Sequence, residues 1–591
     1  RNSGPLGPAG RAGRRLGNPA VSRTSSSVPS EQWAYAGLAL LLAVLWLATL
    51  ASRPLFNPDE GRYAEIPREM LSGGDWVIPH LNGLAYIEKP PLQYWATAIS
   101  YRVLGVNEFT ARLYTALSAL GTAFTVWLVA CRLWNPAAGS RAVAVLAGML
   151  MFVVLGQLLT LDMSLTFYLT LSLGGFLLAQ QSARPRRWML LAWAAAALGV
   201  LTKGLVAAAI PVAVLILYSL YARDFTPWRR LYVGWGLPLF FAVTVPWHWL
   251  AARRLADFLK FFFIHEHLAR YLTPVSDRQQ PWWFFIGIFL AGSMPWTLSA
   301  LRVLAGGWRR QTPAGVSSVG GPSASGSSAS GPDYPRLGRN FQPVLFLWIW
   351  VVFIGVFFSL SDSKLMPYIL PLMPALALAI AALPAPALKR DFMFTAVLTL
   401  IAGLGLGLAS LRWADVIAPS ERGVYFLLLA RPLTQIALLL TVSGAFVLTR
   451  CVRDVTRAGV FLGVGWCLAW LLLVRAAALV APVYSGVSLA AALPEVDRDV
   501  PFYSVETYNQ SLTFYLRRCV TLVAYRGELD YGLKRMPDAE IAEVAEFIPR
   551  WTSQSRAYAV MEKSMFDDLK SRGVPMRLVK QDYDQVVVAR Q

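Results

Sequence analysis

The chain has 591 residues, of which 56% are hydrophobic and only 15% charged, with a formal net charge of +20. A soluble globular domain carries about 25% charged residues, so this composition excludes an ordinary water-soluble protein and implies a polytopic α-helical membrane protein. Its Arg and Lys are scattered between apolar runs and form no single stripe, which argues against nucleic acid as a partner and fits the positive loops of the cytoplasmic side.

In chain order, residues 1–31 are rich in Gly, Pro, Ser and Arg and read as a disordered cytoplasmic N-terminus. The run 32–52 holds no charge and is longer than the apolar core of about 7–15 residues found in a cleaved leader. It reads as the first membrane span. At roughly 20 apolar residues per span, about 13 are expected, at 32–52, 108–130, 143–161, 163–182, 188–202, 204–222, 232–251, 283–301, 343–360, 366–386, 392–411, 432–449 and 458–480. The stretch 188–222 is too long for one crossing at about 1.5 Å per residue, so it is split at Lys203-Gly204.

With the N-terminus inside, "RPRR" (184–187), "RDFTPWRR" (223–230), "WRRQ" (308–311), "LKRD" (388–391) and "RCVRDVTR" (450–457) all fall in loops on one side, as the positive-inside rule requires. Residues 312–338 read as a disordered cytoplasmic loop. The expected organisation is a transmembrane domain over 32–481 and a periplasmic α/β domain over 482–591. In the latter, "DVPFYSV", "CVTLVAY" and "DQVVVAR" read as strands, and "DAEIAEVAEFI" and "EKSMFDDLKSR" as helices. The four cysteines suggest no disulfide framework.

The opposite side collects the chemistry. The first outer loop opens with "FNPDEGRYAEIPREM" and continues to "YIEKPPLQYW", where Pro90 and Pro91 fix the direction of Glu88 and Lys89. The segments around 60–72 and 89–105 read as amphipathic helices lying on the membrane surface. Asp162 interrupts an apolar run at "LLTLDMSLTF". It is either a solvated turn carboxylate or an acid lining a cavity, since charges in membrane segments usually face a partner or a cavity. Acids (Asp59, Glu60, Glu88, Asp162), bases (Arg62, Lys89, Lys203, Arg270, Lys364), histidines (His265, His267) and tyrosines (Tyr63, Tyr86, Tyr368) thus share one face. Cations beside a greasy cavity suit the phosphate head of a long-chain lipid. Neighbouring carboxylates suit work on a sugar or capture of an amine. Glu88 with His265 or His267 offers ligands acceptable to zinc or manganese, though "HEH" is no established metal spacing.

Taken together, "FNPDEGRYAE", "YIEKPPLQYW", "TLDMSLTF", "LTKGLV", "EHLARY" and "SKLMPYILPLMPALA" resemble the GT-C glycosyltransferases. Within that group the resemblance is closer to the lipid A aminoarabinose transferases and the related protein O-mannosyltransferases. It implies a sugar donor on undecaprenyl phosphate, an active site at the periplasmic face of the inner membrane, and inverting transfer with no required cofactor. For the aminoarabinose branch it implies a lipid A phosphate as acceptor and protection against polymyxin and other cationic peptides.

By position, Asp59 and Asp162 match the family's two acids, and Lys89, Arg270 and Tyr368 match residues around the carrier phosphate. Lys203 and Tyr86 match less closely. A hydroxyl acceptor would need a general base. For a phosphate acceptor, Asp59 is expected to orient substrate, stabilise cationic charge on the sugar, or pair with its ammonium. A membrane transporter or scaffold is the alternative class; transporters favour a midplane site and internal repeats.

Overall fold

The computed structural model describes residues 28–269, 279–309, 341–413, 426–493 and 500–590, with side chains outside 28–32 and 267–269. Residues 1–27 of the expected disordered stretch 1–31, the expected disordered loop 312–338 and the expected ligand Arg270 lie outside these residues, as does the side chain of His267, whereas residues 28–31 begin a helix and are not disordered. Among the described residues, those up to Ala43 form one compact unit and those from Val44 onward another.

Helix α1 runs Val28–Ala48. The first outer segment then folds as α2 (Asp59–Gly73), a short hairpin of β1 (His80–Leu81) and β2 (Leu84–Ala85), and α3 (Leu92–Leu104). Asp59 and Glu60 occupy the first turn of α2, where the helix dipole favours negative charge. Gly74, at φ 73°, closes α2 by donating its N–H to the Met70 carbonyl. The apolar helices that follow are α4 (Glu108–Leu133), α5 (Pro136–Gly148), α6 (Leu150–Gln157), α7 (Leu161–Gln181), α8 (Pro185–Lys203), α9 (Val206–Ala222) and α10 (Val233–Arg254). They continue as α11 (Phe284–Gly292), α12 (Thr297–Gly306), α13 (Pro343–Ser359), α14 (Met373–Ala381), α15 (Ala385–Leu411), α16 (Ala430–Arg450) and α17 (Val455–Ala476). Asn107 starts α4 with a capping box, its side chain accepting the Thr110 N–H. The turn at Gly204, φ 86°, separates α8 from α9 where the expected split falls.

Among the described residues, five helices are long and apolar enough to cross a membrane, and six if the bent pair α5–α6 counts as one. The expected spans 143–161, 283–301 and 366–386 are not single helices. The first bends by 67° between Gly148 and Leu150. The second breaks between Gly292 and Thr297, around Pro295. The third enters through a 3-10 turn, Met366–Leu372, that contains Pro371. "LKRD" is also not a loop. It lies in α15, where buried Asp391 accepts from Arg302 Nε (2.7 Å) and Nη2 (2.6 Å), and the pairing draws the acid into the helix.

The C-terminal region forms a six-stranded sheet, of order β5-β4-β3-β6-β8-β7: β3 (Phe502–Val505), β4 (Thr521–Val523), β5 (Glu540–Ile541), β6 (Tyr558–Glu562), β7 (Arg577–Gln581) and β8 (Gln585–Ala589). Strands β5, β4, β3 and β6 are parallel, with Tyr503 facing Thr521 and Ala559, and β8 runs antiparallel to β6 and β7. Helices α18 (Gln510–Leu516), α19 (Val544–Ser553) and α20 (Lys563–Ser571) complete it. The stretch "DAEIAEVAEFI" splits between β5 and α19 instead of forming one helix, because Glu540 and Ile541 pair with β4. Helix α18 seats on α2. A Cβ at Gly61 would meet the Ser511 nitrogen at 2.4 Å, so only glycine allows this approach. Residues Glu60–Pro67, Glu69 and Met70 are consequently buried, and α2 is an enclosed helix, not the surface-lying one expected.

Candidate active site

Two neighbouring carboxylates at the start of α2 meet opposite environments. Glu60 is 3% exposed and held by two guanidiniums. Arg112 reaches it through Nε and Nη2, both at 2.9 Å, and Arg53 through Nη2 at 2.9 Å and through Nη1. The backbone N–H groups of Phe56 (3.1 Å) and Leu159 (2.9 Å) also donate to it. The arginines spend their remaining donors on carbonyls of Leu50, Arg53, Pro54 and Gln157. Burial works to raise the Glu60 pKa, but Arg112 and Arg53 overcome it and hold the carboxyl well below the usual range. The node ties the loop before Asp59 to the Leu158–Thr160 link just before Asp162.

Asp59 is different. Its side chain is 50% exposed and meets Arg62 Nη1 at 3.3 Å. Arg62 also reaches Glu528, from the C-terminal region, at 3.3 Å, and lies over the Tyr63 ring at 5.8 Å. Burial opposes the Arg62 charge, yet Tyr86, Glu528, Tyr63 and Asp59 hold its pKa above the ordinary value. Tyr63 is raised, first by burial, and it feels the charges of Asp59, Arg62, Glu88 and Asp162. Tyr86 donates to Glu88 Oε2 at 3.1 Å. The sequence-expected residues Asp59, Arg62, Tyr63, Tyr86, Glu88 and Asp162 therefore converge on one electrostatic neighbourhood.

Asp162 sits in the first turn of α7 and Lys203 in the last turn of α8. The two helices pack antiparallel, so acid and base meet at one end, at 2.5 Å. Both stay mostly buried, and Lys203 Nζ also lies 4.9 Å from the centre of the Tyr368 ring. The reading of Asp162 as a plain solvated turn acid is thereby replaced by that of a buried, paired one. Lys89 bonds Glu266 at 2.9 Å and the Glu88 carbonyl at 2.9 Å. Lys364 is buried and donates to the Ser361 carbonyl at 2.6 Å, an anchor of its own loop.

Among the described residues no group of three or more His, Cys, Asp or Glu is arranged to hold a metal. His265 is half exposed and stacks on Phe261, with its Nδ1 3.6 Å from Glu266. Arg53, Arg112, Glu266 and Glu528 were missed from sequence because their partners lie 7 to 466 residues away. Tyr94 was missed as well. Its hydroxyl is fully buried without a hydrogen-bond partner among the described residues, beside Tyr63, Arg62, Glu88 and Asp59.

Comparisons with known proteins give the chain's family and fold. Residues 489–590 match the family described as aminoarabinose transferase C-terminal domain, and residues 88–249 the family described as dolichyl-phosphate-mannose-protein mannosyltransferase. An undecaprenyl phosphate-alpha-4-amino-4-deoxy-L-arabinose arabinosyl transferase of Aeromonas salmonicida is 30% identical over 561 residues, 89% of this chain and 92% of that protein. One of Pseudomonas aeruginosa is 34% identical over 350 residues, and there the chain spans only 58% of the relative's length. The crystal structure of ArnT from Cupriavidus metallidurans bound to undecaprenyl phosphate superposes with a TM-score of 0.83 at 30% identity, covering 95% of this chain and 98% of that one.

Proposed function

The chain belongs to the undecaprenyl phosphate-aminoarabinose arabinosyl transferase family, a group of multi-pass membrane glycosyltransferases, and from that premise we propose its reaction. It transfers 4-amino-4-deoxy-L-arabinose from undecaprenyl phosphate to a phosphate of lipid A at the periplasmic face of the bacterial inner membrane. The added amine lowers the negative charge of the outer surface and protects against polymyxin and other cationic peptides. The observation that carries this reading is the convergence of Asp59, Arg62, Tyr63, Glu88 and Asp162, from three distant segments, beside the Lys203–Tyr368 contact.

In the proposed chemistry an anionic oxygen of the acceptor phosphate attacks the anomeric carbon of the sugar. The bond from that carbon to the carrier phosphate breaks, and its electron pair leaves on the carrier. The configuration inverts. The acceptor is already anionic and needs no general base. Asp59, half open beside Arg62, stabilises positive charge growing on the sugar or pairs with its ammonium. Lys89 and Arg270 offset charge on the departing phosphate. The Asp162–Lys203 pair and Tyr368 line the carrier side, with Tyr63 and Tyr86 walling the sugar. This scheme uses no resident cofactor. The membrane portion, 32–481, builds the site, and the portion 482–591 contributes Glu528 to the Arg62 anchor.

The test is mass spectrometry of lipid A from cells with and without the protein. A pentosamine increment on phosphate is expected only when the protein is present. Its absence, or an increment on a protein hydroxyl, would overturn the acceptor assignment.

A further inference from the structure

A cleft of about 650 Å³ opens at the far end of α2 from Asp59, walled by α2, the β1–β2 hairpin and the turn after α18. Its lining includes Arg68, His80, Arg517 and Arg518, with the acids Glu69 and Asp75. Both acids are already committed. Glu69 accepts the N–H groups of Asn82 (2.7 Å) and Gly83 (2.9 Å). Burial, helped by neighbouring Glu65, pushes its carboxyl up to about 8, so it is largely protonated and neutral at neutral pH. Asp75 accepts from Val77, Ile78 and Arg254. Arg68 is likewise committed, pairing with Glu65 through Nε and Nη2, both at 2.6 Å, so the accessible charge of the cleft is the positive charge of Arg517 and Arg518. Arg517 presents it most openly. It stands exposed in a left-handed turn, φ 53°, that ends α18.

Arg68 lies nine residues after Asp59 on the same helix, about 14 Å along its axis at 1.5 Å per residue. Helix α2 thus carries the acid of the transfer site at one end and a cationic cleft at the other. We propose that this cleft is a second anionic subsite, holding one phosphate of a two-phosphate lipid acceptor while the other is presented to the Asp59 cluster. A phosphorylated disaccharide bears its anionic groups at opposite ends, and a rigid helix between two sites selects for such a spacing. The inference rests on the lipid A acceptor proposed above.

The test compares kcat/KM of the full chain, with the undecaprenyl-linked donor, for bisphosphoryl and monophosphoryl lipid A. The native chain is expected to prefer the bisphosphoryl acceptor by about tenfold, the scale of one charged hydrogen bond. Arg517→Glu is expected to erase that preference, and Arg517→Lys to keep most of it. A preference no larger than the statistical doubling from two acceptor groups would overturn the subsite, as would an Arg517→Glu ratio equal to the native one. Loss of the preference on adding phosphatidylglycerol would mean that any anionic headgroup fills the cleft, which also overturns it. If the chain modifies neither lipid, the acceptor reading itself falls and the subsite with it, an outcome distinct from equal use of both.

Discussion

The two charged regions at the start of α2 are adjacent in sequence and opposite in character. Around Glu60 nearly every donor and acceptor is satisfied within the protein, by two arginines and two backbone N–H groups. Around Asp59 the contacts are longer, and half of the carboxylate faces outward. A closed charge network fixes geometry, because removing one member strands the others in a low-dielectric interior. An open one keeps capacity for a ligand. The difference teaches that burial of charge alone does not single out the proposed catalytic acid; unspent hydrogen-bonding capacity does.

Glu60→Ala strikes the closed region hardest. It leaves Arg53 and Arg112 buried without their shared partner, and a loss of about 3–5 kcal/mol in stability is expected, read as a large drop in melting temperature and in recoverable protein. Normal melting would remove the contrast. Asp59→Asn strikes the open region. Transfer should fall by about 100- to 1000-fold in kcat, the usual scale for losing one charge-stabilising group, while melting shifts by less than about 0.5 kcal/mol. If Asp59→Asn melts like Glu60→Ala, the two regions are one structural unit.

A pH-dependent effect concerns Glu69, which sharpens the comparison from the other end of α2. Its carboxyl ordinarily titrates near 4.5 and in the fold near 8. Between those values the folded chain holds a proton that the unfolded chain has released. Stability should therefore decline as pH rises from about 4.5 to 8, by at most about 1.4 kcal/mol per pH unit, and level off above. Glu69→Gln imitates the protonated acid and should flatten that slope in melts taken at pH 5.5 and 7.5. An identical slope in both proteins would contradict the assignment.

Much of this architecture was legible in the sequence. Charge-free runs such as 343–360 and 432–449 correspond to α13 and α16, and the glycine after Lys203 marked the α8–α9 turn. The breaks in α5–α6 and α11–α12 were not legible, because hydropathy is continuous across Met149 and Pro295 and only tertiary packing decides the bend. Asp59, Glu88, Asp162 and Lys203 stood out because each interrupts or borders an apolar context. Which of Asp59 and Glu60 faces outward was hidden, since the choice depends on Arg112, 52 residues on. Equally hidden were Glu528, which reaches Arg62 of α2, and Ser511, which packs on Gly61 of α2, both from more than 400 residues away.

The fit of Ser511 against Gly61 has a consequence for biogenesis. Helix α2 leaves the ribosome long before its cover, α18, is made. Until then the face of α2 at Gly61, on which α18 seats, waits uncapped. A chain stopped before residue 500 would thus be a membrane-inserted intermediate whose α2 still lacks its cover.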